Sequence, residues 1–260
     1  MRAFSFFYGD FDIEKNAIQE LAEIWFNKGI DPYYLNANTG SVLKNAGKTL
    51  FGLQHYTGIS QLNHSSARNR LLELFDIFAV PQEETVILFD ADMYPNKLDN
   101  ADLIEKLPFG VIKVFGKEKN TRLENGITFE EKGSVVYRLK PGSVDCSKPL
   151  LPVYMASRET LDYVGKFDER LVTSPDFIGT EDTDWIIKAR LKGCEFVKGE
   201  SEFYHRDHGG WLTEQDAIDN QLRRVNNSWA LLEFKYGIGF QEFSLAQRLA
   251  KEFKDATGRS

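Results

Sequence analysis

The stretch Thr85-Val86-Ile87-Leu88-Phe89-Asp90-Ala91-Asp92 decides the fold class. An unbroken apolar run of this kind, with no polar alternation, is the pattern of a strand buried on both faces of a sheet. It ends abruptly in two carboxylates one residue apart. A buried strand that delivers Asp-x-Asp at its C-terminal end holds oxygen ligands ready for a hard divalent cation such as Mg²⁺ or Mn²⁺. A second acidic stretch, Gly179-Thr180-Glu181-Asp182-Thr183-Asp184-Trp185, follows about ninety residues downstream at the expected start of a helix. A metal that grips a diphosphate, with a separate carboxylate able to accept a proton, points to transfer from an activated nucleotide donor.

Outward from the first stretch, strands and helices alternate. Ala3–Tyr8 reads as a buried strand. Ile13, Ala17, Leu21, Ile24 and Trp25 recur at helical spacing over residues 13–27, with Gly29 as the stop. Pro32–Leu35 is extended, and Asn36–Lys48 reads as turns. Ser65-Ser66 is the expected cap of a helix from Ala67 to Ala79, ended by Pro81. A short helix Leu98–Leu107 and a strand Gly110–Phe115 complete a β-α-β-α-β-α-β order. That order predicts an α/β fold: a Rossmann-like, mostly parallel central sheet flanked by helices, with ligands at the carboxyl ends of the strands.

The rest of the chain departs from this rhythm. Lys117–Pro149 reads as a hairpin or mobile loop inserted over the site. Pro152–Ala156 is extended, Arg158–Val164 helical, and a helix runs from Glu181 to Lys192 before Gly193. Cys194–Tyr204 returns as a strand, and Thr213–Tyr236 and Phe243–Phe253 are expected as two amphipathic helices. The organisation predicted is one domain over residues 1–210 with a helical C-terminal extension, 211–260, packed on it.

Composition narrows the function classes. The 260 residues carry a formal charge of −7 and no basic block, so nucleic acid is not an expected partner. Two cysteines, Cys146 and Cys194, are too few for a disulfide framework and fit a reducing compartment. No run approaches the ~18 apolar residues of a membrane span. The expectation is a soluble, cytoplasmic protein, with peripheral membrane contact through Phe243, Leu245, Leu249 and Phe253 as a secondary use of that stripe. Gly9 and Gly209-Gly210 do not form a phosphate loop, so a P-loop or dinucleotide-fold reading lacks its defining feature. His205 closes an extended segment and His208 follows three residues on; imidazole joins carboxylates readily on Mn²⁺-type ions.

These pieces resemble the GT-A fold glycosyltransferases, most closely the family 2 class of nucleotide-sugar-dependent enzymes. Ser66-Ala67-Arg68-Asn69 is similar to that family's Ala-Arg-Asn helix start, and Asp90-Ala91-Asp92 follows at a typical interval. Val164-Gly165-Lys166-Phe167-Asp168-Glu169 resembles its Gly-Phe-Asp-Glu turn, which leads to Glu181-Asp182. His205 resembles the metal-binding histidine of galactosyl- and N-acetylgalactosaminyl-transferring relatives. The resemblance spans Phe4 to His208. The first strand departs from the family pattern, ending Phe7-Tyr8-Gly9-Asp10 instead of in Thr or Ser. Asn36 stands where the family's second strand commonly ends in a base-reading Asp.

The resemblance implies a metal-dependent transferase moving a sugar from a nucleoside diphosphate, with UDP as the expected nucleotide, to a saccharide or lipid-linked oligosaccharide. Asp182 is then the general base and Glu181 a ligand of a sugar hydroxyl. Mn²⁺ or Mg²⁺ is held by Asp92, with Asp90 and His205. Tyr8, Asn36, Arg68, Asp90 and Asp92 contact the nucleotide, and Trp211 and His208 the acceptor. An inverting outcome is expected, with retention left open. Two other classes remain: a nucleotidyltransferase, which needs a basic Gly-rich N-terminal loop where Met1–Asp12 has only Arg2, and a non-catalytic nucleotide-sugar-binding protein.

Overall fold

The computed structural model describes residues 1–7, 11–45, 50–54, 62–115, 117–120, 135–137, 146–148, 153–172, 181–205 and 235. In chain order these form β1 (Arg2–Phe7), α1 (Phe11–Asn27), β2 (Asp31–Asn36), β3 (Val42–Asn45), β4 (Leu50–Gln54), α2 (His64–Ile77) and β5 (Thr85–Phe89). There follow β6 (Met93–Lys97), β7 (Val111–Phe115), β8 (Lys117–Asn120), β9 (Val135–Tyr137), β10 (Cys146–Lys148) and β11 (Val153–Ser157). The described core closes with α3 (Arg158–Val164), α4 (Glu181–Leu191), β12 (Glu195–Lys198) and β13 (Glu202–His205).

The protein is α/β. Its central sheet has eight strands in the order β12-β7-β11-β5-β1-β2-β3-β4. β1 pairs parallel with both β2 and β5, and β12 parallel with β7, whereas β11 and β3 run against their neighbours. All five residues of β5 are buried, as its continuous apolar pattern requires. Phe4, Val86 and Leu88 face one core with Leu71 and Phe75 of α2, Leu161 and Val164 of α3, and Trp185 of α4. Ala3, Ile87 and Phe89 face the other, with Ile18, Ala22 and Trp25 of α1. Helices therefore cover both faces, and each fully buried large side chain contributes about 1.5–3 kcal/mol.

Several local expectations are corrected. Residues 98–107 form turns, not a helix. Asp99 spends its carboxylate on the Ala101 backbone N–H, and Asp102 accepts from the backbone N–H groups of Glu200 and Ser201. Such side-chain bonds offer the backbone an alternative to the helix. α2 is capped by Asn63, whose side chain accepts from Ser66 N–H, so Ser65 and Ser66 lie in its first turn. β3 occupies part of the stretch read as turns. The long strand expected over Cys194–Tyr204 is two strands in two sheets, β12 and β13.

β11 runs antiparallel to both of its neighbours, β7 and β5. β9 and β10 within the inserted segment pair as a hairpin would. The helices expected over Thr213–Tyr236 and Phe243–Phe253 lie outside the described residues except for Lys235, which is helical. Among the described residues no helix is long and apolar enough to cross a membrane.

A second sheet, β6-β13-β8, stands beside the first. It is fastened by Trp25, which donates to the Met93 carbonyl at 3.0 Å, and by Asp102, which is also paired with Lys113 at 3.0 Å. Gly199, between β12 and β13, lies flat against the Phe115 ring, and a Cβ there would meet that ring at 2.1 Å. Phe115 is itself wedged against Phe203 and cannot swing away. Gly199→Ala is expected to destabilise the chain by about 1–3 kcal/mol, as overpacking does. A urea unfolding curve with an unchanged midpoint would show that the ring yields.

Candidate functional site

The sheet places a crevice where its winding reverses. The chain passes from β1 through α1 to β2 on one side, whereas β5 lies on the other side of β1. Ligands of open α/β sheets settle outside the carboxyl ends of the strands at such a point. Asp90 follows β5 directly, and the Asp90 carbonyl accepts from Met93 N–H at 2.8 Å, closing a tight turn that carries Asp92.

Arg68 organises this corner. It projects from the second turn of α2 and is almost wholly buried, with 4% of its side chain exposed. One Nη lies 2.9 Å from Asp182 and 3.5 Å from Asp90, and Nε lies 3.8 Å from Glu181. The guanidinium is held between the rings of Phe6 and Phe167, at 5.4 and 5.6 Å from their centroids. Burial opposes its charge, but Asp182, Tyr154, Asp90 and Glu181 outweigh burial and hold it firmly protonated. The next residue, Asn69, binds both the N–H and the carbonyl of Phe167 and also Glu169 Oε1. The Ala-Arg-Asn and Gly-Lys-Phe-Asp-Glu blocks are thus physically one unit. Trp185 stacks on Phe167 at 5.5 Å and donates to the Gly165 carbonyl, which makes it a core residue.

The carboxylates differ in environment. Glu181 is buried and faces Arg68 and His64 Nδ1, the latter at 3.6 Å. Burial raises its proton affinity, yet the His64 contact and the Arg68 charge overcome that and bring its pKa down to about 2. Asp90 behaves in the opposite way. Crowding by protein and the neighbouring Asp182, Asp92 and Glu181 charges outweigh Arg68 and push it up to about 7. Yet 45% of its side-chain surface meets water, so Asp90 is crowded without being sealed. Asp182 is intermediate in exposure. Three acids, Asp90, Glu181 and Asp182, thus face one guanidinium among the described residues.

His205 ends β13, and its backbone stands opposite Met93, the residue after Asp92. No sequence pattern announced this pairing, because β6 was not expected. Among the described residues no group of three or more His, Cys, Asp and Glu side chains is arranged to hold a metal ion. Asp90 and Asp92 supply the oxygen donors described at this corner, and the register supplies a histidine position beside them. That donor set fits Mn²⁺ or Mg²⁺.

Asn36 lies at the end of β2 but is 1% exposed, and its side-chain oxygen accepts from the N–H groups of Asn38 and Thr39. That oxygen is engaged in holding a turn. Tyr8, His208 and Trp211 lie outside the described residues. Sequence reasoning missed His64, which precedes the expected helix, and Tyr154, buried in an apolar strand with its phenol pushed up by burial. Neither carried a signal in the sequence.

No protein-family model matches the chain, and no curated protein matches it. Among solved structures, a glycosyltransferase involved in glycosylation of the major capsid of PBCV-1 aligns with TM-score 0.40 and 11% identity, over 88% of this chain and 98% of that one. A Drosophila β-1,4-galactosyltransferase 7 variant in complex with manganese, UDP-Gal and xylobiose aligns with TM-score 0.40 and 11% identity, over 83% and 79%. A protein from STIV aligns with TM-score 0.38 and 14% identity, over 80% and 86%. Similarity at this level assigns neither activity nor ligand to this chain.

The pH dependence of stability follows from Glu181. Its folded pKa is below its unfolded value near 4.5, so its contribution is complete above that value. It is lost as the pH falls from there towards 2. Glu181→Gln is expected to flatten this acid limb in chemical unfolding measured across that window. At neutral pH it should cost less than the ~3–5 kcal/mol of a fully orphaned buried pair, because Asp182 and Asp90 still face Arg68. An acid limb identical to that of the unsubstituted protein would refute the assignment.

Proposed function

We propose that this protein is a metal-dependent glycosyltransferase that moves a sugar from a nucleoside diphosphate, expected to be UDP, to a hydroxyl of a saccharide or glycolipid acceptor. One observation carries the reading. A strand end and a helix start about ninety residues apart converge on a single buried Arg68 at the sheet's switch point, leaving acids open to the crevice. The ordered sequence blocks around Arg68, Asp90, Phe167 and Glu181-Asp182 support it independently.

Asp92 and Asp90, with His205, are the residues that would hold Mn²⁺ or Mg²⁺. Such an ion supplies Lewis-acid stabilisation to the departing diphosphate. Arg68 is a fixed cation clamped by two rings, so it adds charge stabilisation without having to reorganise. Asp182, 2.9 Å from Arg68 and 22% exposed, is the general base. The acceptor oxygen forms its bond to the anomeric carbon as the bond to the diphosphate oxygen breaks. The electron pair leaves with the diphosphate and the acceptor's proton passes to Asp182. A one-step displacement of this kind inverts the anomeric centre. Glu181, held ionised behind Arg68, keeps the guanidinium from rotating. Tyr8 is assigned to the nucleotide side of the crevice, and Trp211 and His208 to the acceptor side; Asn36, buried and engaged in its turn, is not assigned to either.

Titration calorimetry with UDP is expected to show binding that requires Mn²⁺ or Mg²⁺ and is lost in Asp92→Asn. Binding of equal strength in EDTA would remove the metal from the proposal. Asp182→Asn should bind the donor normally and lose about 10²–10⁴-fold in kcat, the usual worth of a general base. Turnover at the unsubstituted rate would exclude Asp182 from that role.

A further inference from the structure

We infer that Lys235 is a positioning residue of this site, a strap from the C-terminal segment that fixes the first turn of α4 against the turn covering Arg68. α4 opens with Glu181, Asp182 and Asp184 within one turn. The helix dipole favours acids there, but three at this spacing also repel one another. Asp184 faces inward, and its side chain is fully buried. A buried carboxylate without a cation or strong donors is costly.

Lys235, 51 residues further on, supplies that cation. Its Nζ donates to Asp184 Oδ1 at 2.7 Å and to Asp168 Oδ2 at 2.8 Å. Burial works against the ammonium, but the bonds to Asp168 and Asp184 prevail and raise its pKa. Asp168 is held well below the ordinary carboxylate range, by Arg170 first and, against burial, by Lys235. Arg170 is largely exposed, with 84% of its side chain in water. Lys188 also faces this cluster, and its amine is turned towards the Gly165 carbonyl.

The consequence lies in what the two acids belong to. Asp184 is on the same helical turn as Glu181 and Asp182. Asp168 directly follows Phe167, the ring that closes over Arg68. One ammonium therefore sets the distance between the helix carrying the proposed base and the turn that walls in the guanidinium. Without it, Asp168 and Asp184 lose the ammonium they share and the first turn of α4 loosens. Asp90 and Asp92 follow β5 and belong to neither of the two elements that Lys235 joins. The effect should thus fall on kcat more than on donor KM.

The test uses the full chain as Lys235→Met, Lys235→Arg and the double variant Lys235→Met/Asp184→Asn. Its catalytic arm rests on the proposed transferase reading; its exchange arm does not. Amide hydrogen exchange over residues 181–191 is expected to accelerate about tenfold or more in Lys235→Met, with β1 and β5 unchanged. The Arg variant should retain protection, and the double variant should regain it. Metal-dependent hydrolysis of a UDP-sugar is expected to lose about tenfold in kcat in Lys235→Met, with donor KM within about twofold. Unchanged exchange over 181–191 would overturn the strap, as would uniform loss of protection that Asp184→Asn does not relieve. Absence of hydrolysis in the unsubstituted protein would overturn the transferase reading and leave the exchange result to decide the strap.

Discussion

Burial of the Arg68 guanidinium is the constraint on which the rest of this architecture depends. A charge that cannot shed its proton must be met by anions and π-faces if it is removed from water. The fold meets it from four directions: Asp90 from β5, Glu181 and Asp182 from α4, Phe6 from β1 and Phe167 from the turn after α3. None of these elements is near the others in sequence. Their convergence is electrostatic bookkeeping imposed on topology, and it fixes how α2 and α4 approach the sheet edge.

The neutralisation is deliberately uneven. Glu181 is sealed behind Arg68 and remains ionised, whereas Asp90 on the crevice side keeps a raised proton affinity and contact with water. One guanidinium faces three carboxylates, so surplus negative charge is left on the solvent side at Asp90. Acids sealed on the inside and crowded, water-facing ones on the rim are the kind of perturbed pattern that marks functional sites.

Much of this was legible from the chain alone. β1, β2 and β5 are short apolar runs between helices of clear 3.6-residue period, and local pattern is enough to find such elements. The four charged residues of the site were visible as an ordered set of motifs. What local pattern does not carry is direction and pairing. β11 has the same apolar reading whichever way it runs, yet it lies antiparallel to both β7 and β5. β6 reads Met-Tyr-Pro-Asn-Lys, in which Pro95 argues against a strand; it survives as an edge strand beside β13. Lys235 was hidden for a different reason. A lysine in an amphipathic helix reads as solvated, and nothing in its neighbours tells that its partners lie 51 and 67 residues earlier.

The small sheet shows how remote structural residues govern the chemistry. A strand register is periodic in two, so a slip of one residue would turn every side chain of β13 to the other face. β13 already carries an irregularity between Glu202 and Phe203 that resets its register against β6. The strand must therefore be pinned at its beginning for its end to be placed. Asp102 accepts from the N–H groups of Glu200 and Ser201 and from the Ser201 hydroxyl, while Lys113 ties the same carboxylate to β7 of the central sheet. Trp25 fixes the Met93 carbonyl on the opposing strand. The pairing of His205 with Met93 is consequently set from both sides by groups that touch no ligand. The position of His205 opposite Met93 is thus set by a buried aspartate, a lysine and an indole that lie far from it in sequence.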